Sequence, residues 1–488
     1  MDDFQSVEVG QIFTPIKWAE WLIERWGIFD AWIDGASICD PTAGQGAFAL
    51  ALFRLAKSRG FWVSPELLSR LTLIEVRASH LQAFQLKARR NFAVDFPASQ
   101  LLALDVITNP PNTDYDILFG NPPWANFTDL SDSYKERLKS YFVAEGLVPD
   151  KKQVLLGSSR TDIAALVLKV VLGNLLCKNG IGCFYLPLSI FSGDAHRGFR
   201  DYVASGRRFA VDEVCEFTAT EVFEGVGTSY CCARFRMDVP RKFPVKYFRE
   251  RGGEWIEHRA VPLKVPDDQW RVLQRGDTAD LGAIKVELSS EQKPRQGVNT
   301  CGANAIFMFE DKPAHLPGEF LFPLATKEIW KNVDLVPHKW ILLPYYRNTG
   351  RPLSWASIEQ YAELRQYLIE VRDKLEDRRG TLIRSAIAKG VWWSLLGVGP
   401  YSFAPYKVIW EAYGKSYFYP IILSNEKGQV WQANQAMQAF IPCWNKADAG
   451  RVCAALQHPG IPALLRQLNG EGKCNWAQPG KIGKILSL

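Results

Sequence analysis

At 488 residues the chain has room for two or three domains with ample core, and its 47% hydrophobic and 23% charged side chains fit an ordinary soluble globular protein. The 58 basic and 52 acidic residues leave a mild +6, which permits nucleic-acid binding without arguing for it. None of the ten cysteines forms CxxC and no histidine pair stands at zinc spacing, so neither a metal site nor a disulfide lattice is indicated and the expectation is reduced thiols. With no apolar run of about 18 residues and no signal pattern in residues 1–30, the expectation is a cytoplasmic protein with no membrane partner.

In chain order, the first informative element is the short apolar strand Ala36-Ser37-Ile38-Cys39. It runs into Asp40-Pro41-Thr42-Ala43-Gly44-Gln45-Gly46-Ala47-Phe48. A strand ending in an acid, then a glycine turn, then a helix (Ala47 to about Ser58) opens a doubly wound α/β nucleotide-binding fold. The glycines let backbone pass close to a ligand, and the helix start offers free N–H groups. Neither GxGxxG nor GxxxxGK[ST] is present, so phosphate cradling is not the natural reading.

The strand-to-acid layout then repeats. Leu71-Thr72-Leu73-Ile74 runs into Glu75, and Leu101-Leu102-Ala103-Leu104 runs into Asp105. An acid ending the second strand commonly binds ribose hydroxyls, and one after the third can accept a hydrogen bond from an adenine amine. Each acid alone reads equally well as a helix cap or turn residue.

A fourth strand, Tyr115-Asp116-Ile117-Leu118-Phe119, is delivered into Asn121-Pro122-Pro123-Trp124. The two prolines fix φ at about −65° and donate no hydrogen bonds. They hold the Asn121 side chain and the Pro122 carbonyl in one direction beside an aromatic plane. Two convergent acceptors and a ring suit a planar base with an exocyclic amine. The bland alternative is an ordinary turn, but four strand-end signals in order, at 40, 75, 105 and 121, make coincidence a poor account.

Further on, residues 159–177 predict a helix with Ile163, Leu166, Val167, Val170 and Val171 on one face, ending at Asn179-Gly180. Residues 211–217 and 230–237 read as paired strands around a loop containing Phe223. Alternating strands and helices through 1–240 are the α/β signature, and Pro240 is a plausible boundary. Beyond it, residues 241–259 carry six basic and three acidic side chains with aromatics between them. Residues 357–379 predict a charged, solvated helix, and 406–410, 417–422 and 429–431 predict short aromatic strands. There is no internal repeat.

Taken together, these motifs resemble the gamma-class amino-methyltransferases of restriction-modification systems, which modify adenine N6 in DNA. Gly10-Gln11-Ile12-Phe13-Thr14-Pro15 looks like that family's N-terminal FTP segment, and Gly182-Cys183-Phe184-Tyr185-Leu186-Pro187-Leu188-Ser189 like its fifth strand. Residues 221–229 resemble the loop that supplies a second aromatic, here Phe223. The resemblance covers residues 8–237; beyond them it is looser, resting on residues 297–304 and 406–410. Trp124 departs from the usual Tyr or Phe, but a wider ring should still stack.

The resemblance implies a Rossmann-like catalytic domain at 1–240 and a mixed α+β target-recognition domain at 241–488. It also implies S-adenosyl-L-methionine as cofactor, double-stranded DNA as substrate, and a possible nuclease or defence-system partner subunit. The cofactor pocket would draw on Phe13, Thr14, Pro15, Asp40, Pro41, Thr42, Ala43, Gly44, Gly46, Glu75, Asp105, Val106 and Asn121. Catalysis would fall to Asn121, Pro122, Pro123 and Trp124.

The chemistry is consistent on its own terms. An aromatic amine is a poor nucleophile because its lone pair is delocalised into the ring. Hydrogen bonds from its N–H groups to the Asn121 oxygen and the Pro122 carbonyl favour a pyramidal nitrogen and stabilise the charge that develops on it. A sulfonium methyl donor needs no metal. The amine is unreachable inside a duplex, so the base must be flipped out, with Trp124 and Phe223 expected to sandwich it.

Cytosine-N4 methylation is a close variant of the same chemistry. Protein glutamine-N5 methylation shares the NPP-aromatic motif but fits a shorter chain, and a non-catalytic DNA-binding subunit is disfavoured by the intact acids and Asn121. Pro442-Cys443 reads as a buried thiol rather than a nucleophile. The six scattered histidines, without GxSxG or HExxH, give no support to a hydrolase.

Overall fold

The computed structural model describes residues 12–148, 161–218, 220–274, 276–277, 288–330, 336–413, 418–424, 428–469 and 476–486. Gly10 and Gln11 of the N-terminal motif, residues 159–160 of the expected helix, Tyr417 and Cys474 lie outside them. The chain groups into two compact units, residues 1–279 and 280–488.

Five parallel strands form one half of the first unit's sheet: β1 (Ile38–Asp40), β2 (Leu71–Ile74), β3 (Leu101–Leu102), β4 (Tyr115–Gly120) and β5 (Leu176–Pro187). They lie in the order β3-β2-β1-β4-β5. Every residue of β1 and β2 is buried, as expected of parallel strands covered on both faces. The chain then adds β6 (Val203–Ala204), β7 (Arg207–Glu216) and β8 (Tyr230–Met237), with β8 antiparallel to both β5 and β7.

After Pro240 the same sheet continues. Strand β9 (Val245–Arg251) runs parallel to β7, and β10 (Glu254–Pro262) and β11 (Trp270–Leu273) follow as an antiparallel meander. Among the described residues the sheet counts eleven strands.

Seven helices of this unit matter here: α1 (Ile16–Arg25), α2 (Ile28–Ile33), α3 (Ala47–Ser58), α4 (Pro65–Ser69), α5 (Ala78–Phe92), α6 (Asp132–Ala144) and α7 (Ile163–Leu175). Helix α3 begins at Gly46 in the left-handed region, φ 76°, and packs against α1 and α5. Helix α7 is apolar nearly all round and correspondingly buried.

Helix α7 is shorter than expected. The Asp162 side chain caps it by accepting from the Ala164 N–H at 2.8 Å. Strand β5 then starts directly at Leu176, ahead of Gly182. Residues 177–180 form an irregularity where pairing shifts from Tyr115–Leu176 to Ile117–Ile181, and Asn179 takes φ 64°, which Asn tolerates.

The second unit is mixed α+β. Strands β12 (Arg295–Gln296), β13 (Met308–Phe309), β14 (Leu321–Pro323), β15 (Trp340–Leu342), β16 (Tyr406–Glu411), β17 (Ile421–Ser424) and β18 (Gln438–Cys443) form two small sheets, β12-β18-β16-β17 and β13-β15-β14. The expected charged helix at 357–379 is three short helices, Trp355–Ile358, Ala362–Glu370 and Arg372–Glu376. Leu364, Leu368 and Leu375 turn one face of them into the core. The expected strand at 429–431 is a loop with Val430 and Trp431 buried, followed by isolated bridges from Gln432 to Leu324 and from Asn434 to Val298. Arg378 is buried beneath, its guanidinium donating to the carbonyls of Leu375, Thr300, Ser394 and Trp392.

Among the described residues no helix is long and apolar enough to cross a membrane, and the nine cysteines are free thiols.

The start of α3 leaves no room for a side chain. A Cβ on Gly46 would meet the buried Phe84 ring at 2.1 Å, in a left-handed conformation that L-residues resist. Gly46→Ala should therefore lower stability by roughly 2–3 kcal/mol, the combined scale of overpacking and left-handed strain. Urea denaturation of the whole chain measures it, and parent-like stability would contradict this packing.

Candidate active site

The C-terminal ends of β1, β2, β3 and β4 open onto one cavity of about 700 Å³, where an open α/β sheet binds its ligands. Its lining brings together Phe13, Thr14 and Pro15, the turn Pro41-Thr42-Ala43-Gly44, Glu75, Asp105 and Val106, and Asn121 with Pro123. Ile163 and Val167 of α7 add apolar wall, and Leu86, Lys87, Arg90 and Asn91 of α5 line another side. Asp40, Gly46, Pro122, Trp124 and Phe223 are not among the lining residues.

Both strand-end acids hold backbone as well as facing the cavity. The Glu75 carboxylate accepts from the N–H of Gly44 at 2.9 Å and of Arg77 at 3.0 Å, tying the glycine turn to the end of β2. Asp105 accepts from the Ile107 N–H at 3.0 Å and lies 3.4 Å from the Arg137 guanidinium of α6.

Asp40 lies deeper, 1% exposed. One oxygen accepts from the Thr42 N–H at 3.1 Å, while its other oxygen and the Thr42 hydroxyl have no partner among the described residues. Burial pushes its pKa up to about 8; the Thr42 N–H opposes this and the Glu75 charge adds to it.

Asn121 is oriented by its own amide. Its Nδ2 donates to the Ile12 carbonyl at 3.0 Å and to the Thr14 hydroxyl at 3.2 Å, across to the N-terminal segment. Its Oδ1 is buried and has no partner among the described residues. A buried acceptor left unpaired costs about 1–3 kcal/mol, so its retention points to a donor that arrives from elsewhere.

Behind Pro123 the rings pack differently from an open sandwich. Trp124 meets Phe223 edge to face, centroids 5.1 Å apart at 82°, and lies 5.9 Å from Tyr230. Phe223 is 1% exposed and also packs edge-on against Tyr185 at 5.3 Å and Tyr230 at 5.2 Å. The Trp124 Nε1 has no partner among the described residues. Trp124 and Phe223 are thus brought together, but in direct edge-to-face contact rather than as the two open plates of the expected sandwich.

Sequence reasoning singled out neither Tyr230 nor Asp162. Asp162 joins the tetrapeptide to α7: its carboxylate accepts from the Ala125 and Ala164 N–H groups. Beside it Ile163 N–H donates to the Ala125 carbonyl at 2.8 Å, and Phe127 N–H to that of Thr161 at 2.9 Å. Burial raises its pKa to about 7 against these hydrogen bonds. An Asp before an apolar helical run was the available signal, as a cap.

The sheet order and the site at its strand ends define an α/β nucleotide-binding fold of Rossmann-like type. No protein-family model matches the chain. Two curated relatives are type II methyltransferases: it is 23% identical over 229 residues to M.HincII of Haemophilus influenzae, and equally to M.HindII of Haemophilus influenzae strain Rd. The match takes in 47% of this chain but only 37% and 36% of those proteins, so the chain aligns with well under half of their length. In fold it is similar to the type IIL restriction-modification enzyme MmeI, solved in complex with DNA, with a TM-score of 0.56 at 13% identity over 94% of this chain and 64% of that one.

Asp40 makes stability depend on pH. Its folded-state pKa lies above its unfolded value, so its contribution is full below about pH 4 and is lost as the pH rises toward 8. Asp162 acts in the same direction. The melting temperature should fall between about pH 4 and pH 8, and Asp40→Asn should shrink that fall without abolishing it. An unchanged pH slope in the variant would contradict the burial of an ionisable Asp40.

Proposed function

We propose that this chain is an S-adenosyl-L-methionine-dependent DNA methyltransferase that modifies adenine N6 at a specific sequence, within a restriction-modification or related phage-defence system. Cytosine N4 is the alternative target. The observation that carries the reading is the Asn121 carboxamide: Nδ2 is anchored on Ile12 and Thr14, and Oδ1 is left buried and unpaired at the cavity.

The cavity residues fit the cofactor. Glu75 would take the ribose hydroxyls, Asp105 and Val106 the adenine edge and face, and the backbone of Ala43 and Gly44 would run close along the ligand. Phe13, Thr14 and Pro15 would close over it, and Asp40 would support the turn from beneath. When bound, the cofactor supplies an electrophilic methyl group on a sulfonium.

Asn121 Oδ1 and the Pro122 carbonyl then accept the two N–H groups of the target amine. They turn its lone pair toward the donor and stabilise the positive charge that develops there. Pro122 and Pro123 keep both acceptors from drifting. The base arrives flipped from the duplex, against Trp124 and beside Phe223 once the rings separate. Target recognition falls to the later part of the chain, which we assign to the second unit, and a separate nuclease subunit would complete a restriction system.

Asn121→Ala should fold and bind cofactor within a few-fold of the parent, as read by isothermal titration. Its methyl transfer to unmethylated plasmid should fall by at least about 10²-fold. Glu75→Ala should weaken cofactor binding, and Trp124→Ala should raise the DNA concentration needed for half-maximal rate. Long-read sequencing of DNA from expressing cells identifies the base. Parent-level transfer by Asn121→Ala would refute the mechanism, and a methylated protein glutamine with unmodified DNA would replace the substrate.

A further inference from the structure

Strand β9 lies outside the paired strands β7 and β8, yet it reaches back to the loop between them. That loop leaves β7 at Glu216, carries Phe223 and returns at Tyr230. Thr220 stands three residues before Phe223. Its backbone N–H donates to Glu250 Oε2 at 3.0 Å, and its hydroxyl donates to the other oxygen, Oε1. The Thr218 hydroxyl donates to the Glu250 backbone carbonyl.

Glu250 is 4% exposed, so a buried carboxylate has both oxygens committed to one loop residue. Tyr230 completes the clasp. Its hydroxyl donates to the Thr220 carbonyl at 3.0 Å and accepts from the Val222 N–H at 2.7 Å, and its ring packs against both Phe223 and Trp124. Past Phe223 the bonds are the loop's own, with the Gly225 N–H donating to Glu221 at 3.1 Å, until Ser229 accepts from the Leu188 N–H at 2.8 Å. Gly225 has φ 72°, and a Cβ on Gly225 or Gly227 would meet nothing within 4 Å. The loop is tied to strand β9 on the approach to Phe223, and open space surrounds its two glycines after it.

We propose that Glu250 is a positioning residue, whose carboxylate latches Thr220 and so fixes the pivot about which Phe223 moves off Trp124 to admit the extruded base. This rests on the base-flipping reading above. The latch acts on where the ring sits, through Thr220, and touches neither cofactor nor base. Burying a carboxylate is unfavourable unless donors satisfy it, and here the loop's own N–H and O–H do so. The loop therefore docks in one register, which a loop held only by apolar contact would not ensure.

Glu250→Ala should raise the DNA concentration for half-maximal methylation by about tenfold, the scale of losing paired charge-assisted hydrogen bonds. Cofactor affinity should stay at the parent level. Glu250→Gln should restore most of the loss, since its amide oxygen accepts the Thr220 N–H and its amide N–H meets the hydroxyl. Hydrogen exchange of the amides at 220–226 should quicken in Glu250→Ala and not in Glu250→Gln. That readout needs no DNA, so it still tests the latch if the chain fails to methylate DNA. Should Glu250→Ala fail to fold, Thr220→Val decides, because it deletes the hydroxyl while keeping shape and backbone N–H. Parent-like exchange at 220–226 in the variants would overturn the proposal. So would faster exchange spread evenly through the sheet.

Discussion

Where β4 ends, the backbone must pass the buried Asp40 carboxyl at contact distance. A Cβ at position 120 would lie 2.7 Å from Asp40 Oδ1, and Gly120 takes φ 155° there. Only a residue without a side chain passes this point in that conformation. The passage delivers Asn121 to the cavity with its amide facing the N-terminal segment. Everything after it inherits that direction: Pro122 and Pro123 carry it on with φ fixed by their rings, and Ala125 hands the chain to the Asp162 cap of α7. Asp40 and Asn121 stand 81 positions apart in sequence, yet one steric condition couples them.

The cavity's acids illustrate how structural and ligand-facing roles coexist. Glu75 and Asp105 each brace a turn through backbone N–H groups, which explains why either alone looks like an ordinary cap. Their carboxylates nonetheless sit on the cavity wall. A carboxylate has about four acceptor positions, so bracing a turn leaves capacity for a ligand's hydroxyl or amine. Asn121 divides its labour differently, with its donors spent on the protein and its acceptor kept free.

The parallel half of the sheet was legible because its signals are local. Strand β2, helix α3 and the burial of β4 follow from short apolar runs and the glycine turn, and the Rossmann-like α/β expectation is met. What periodicity does not disclose is which strands pair across long separations. Residues 241–259 read as a new, basic and aromatic texture, yet Lys246 and Arg249 belong to a strand that pairs with β7. Likewise, of β18 the sequence reading has only the buried thiol of Cys443, since the strand's pairing with β16 is set by tertiary contact. At the site, residue types were readable from spacing, whereas the contact between Trp124 and Phe223 depends on Tyr185 and Tyr230, which lie elsewhere in the chain.

In the second unit, Arg378 carries a constraint on the order of folding. Its guanidinium takes carbonyls from Thr300, 78 residues upstream, and from Ser394, 16 residues downstream. Neither segment can satisfy it alone, and a half-satisfied guanidinium is poorly suited to an apolar interior. Its desolvation must therefore await closure of the long loop between residues 300 and 378, an entropically slow event compared with forming the local helices around it. During synthesis, a nascent chain ending before residue 394 would hold that charge in water, and the unit's interior would seal only after its later segments had emerged.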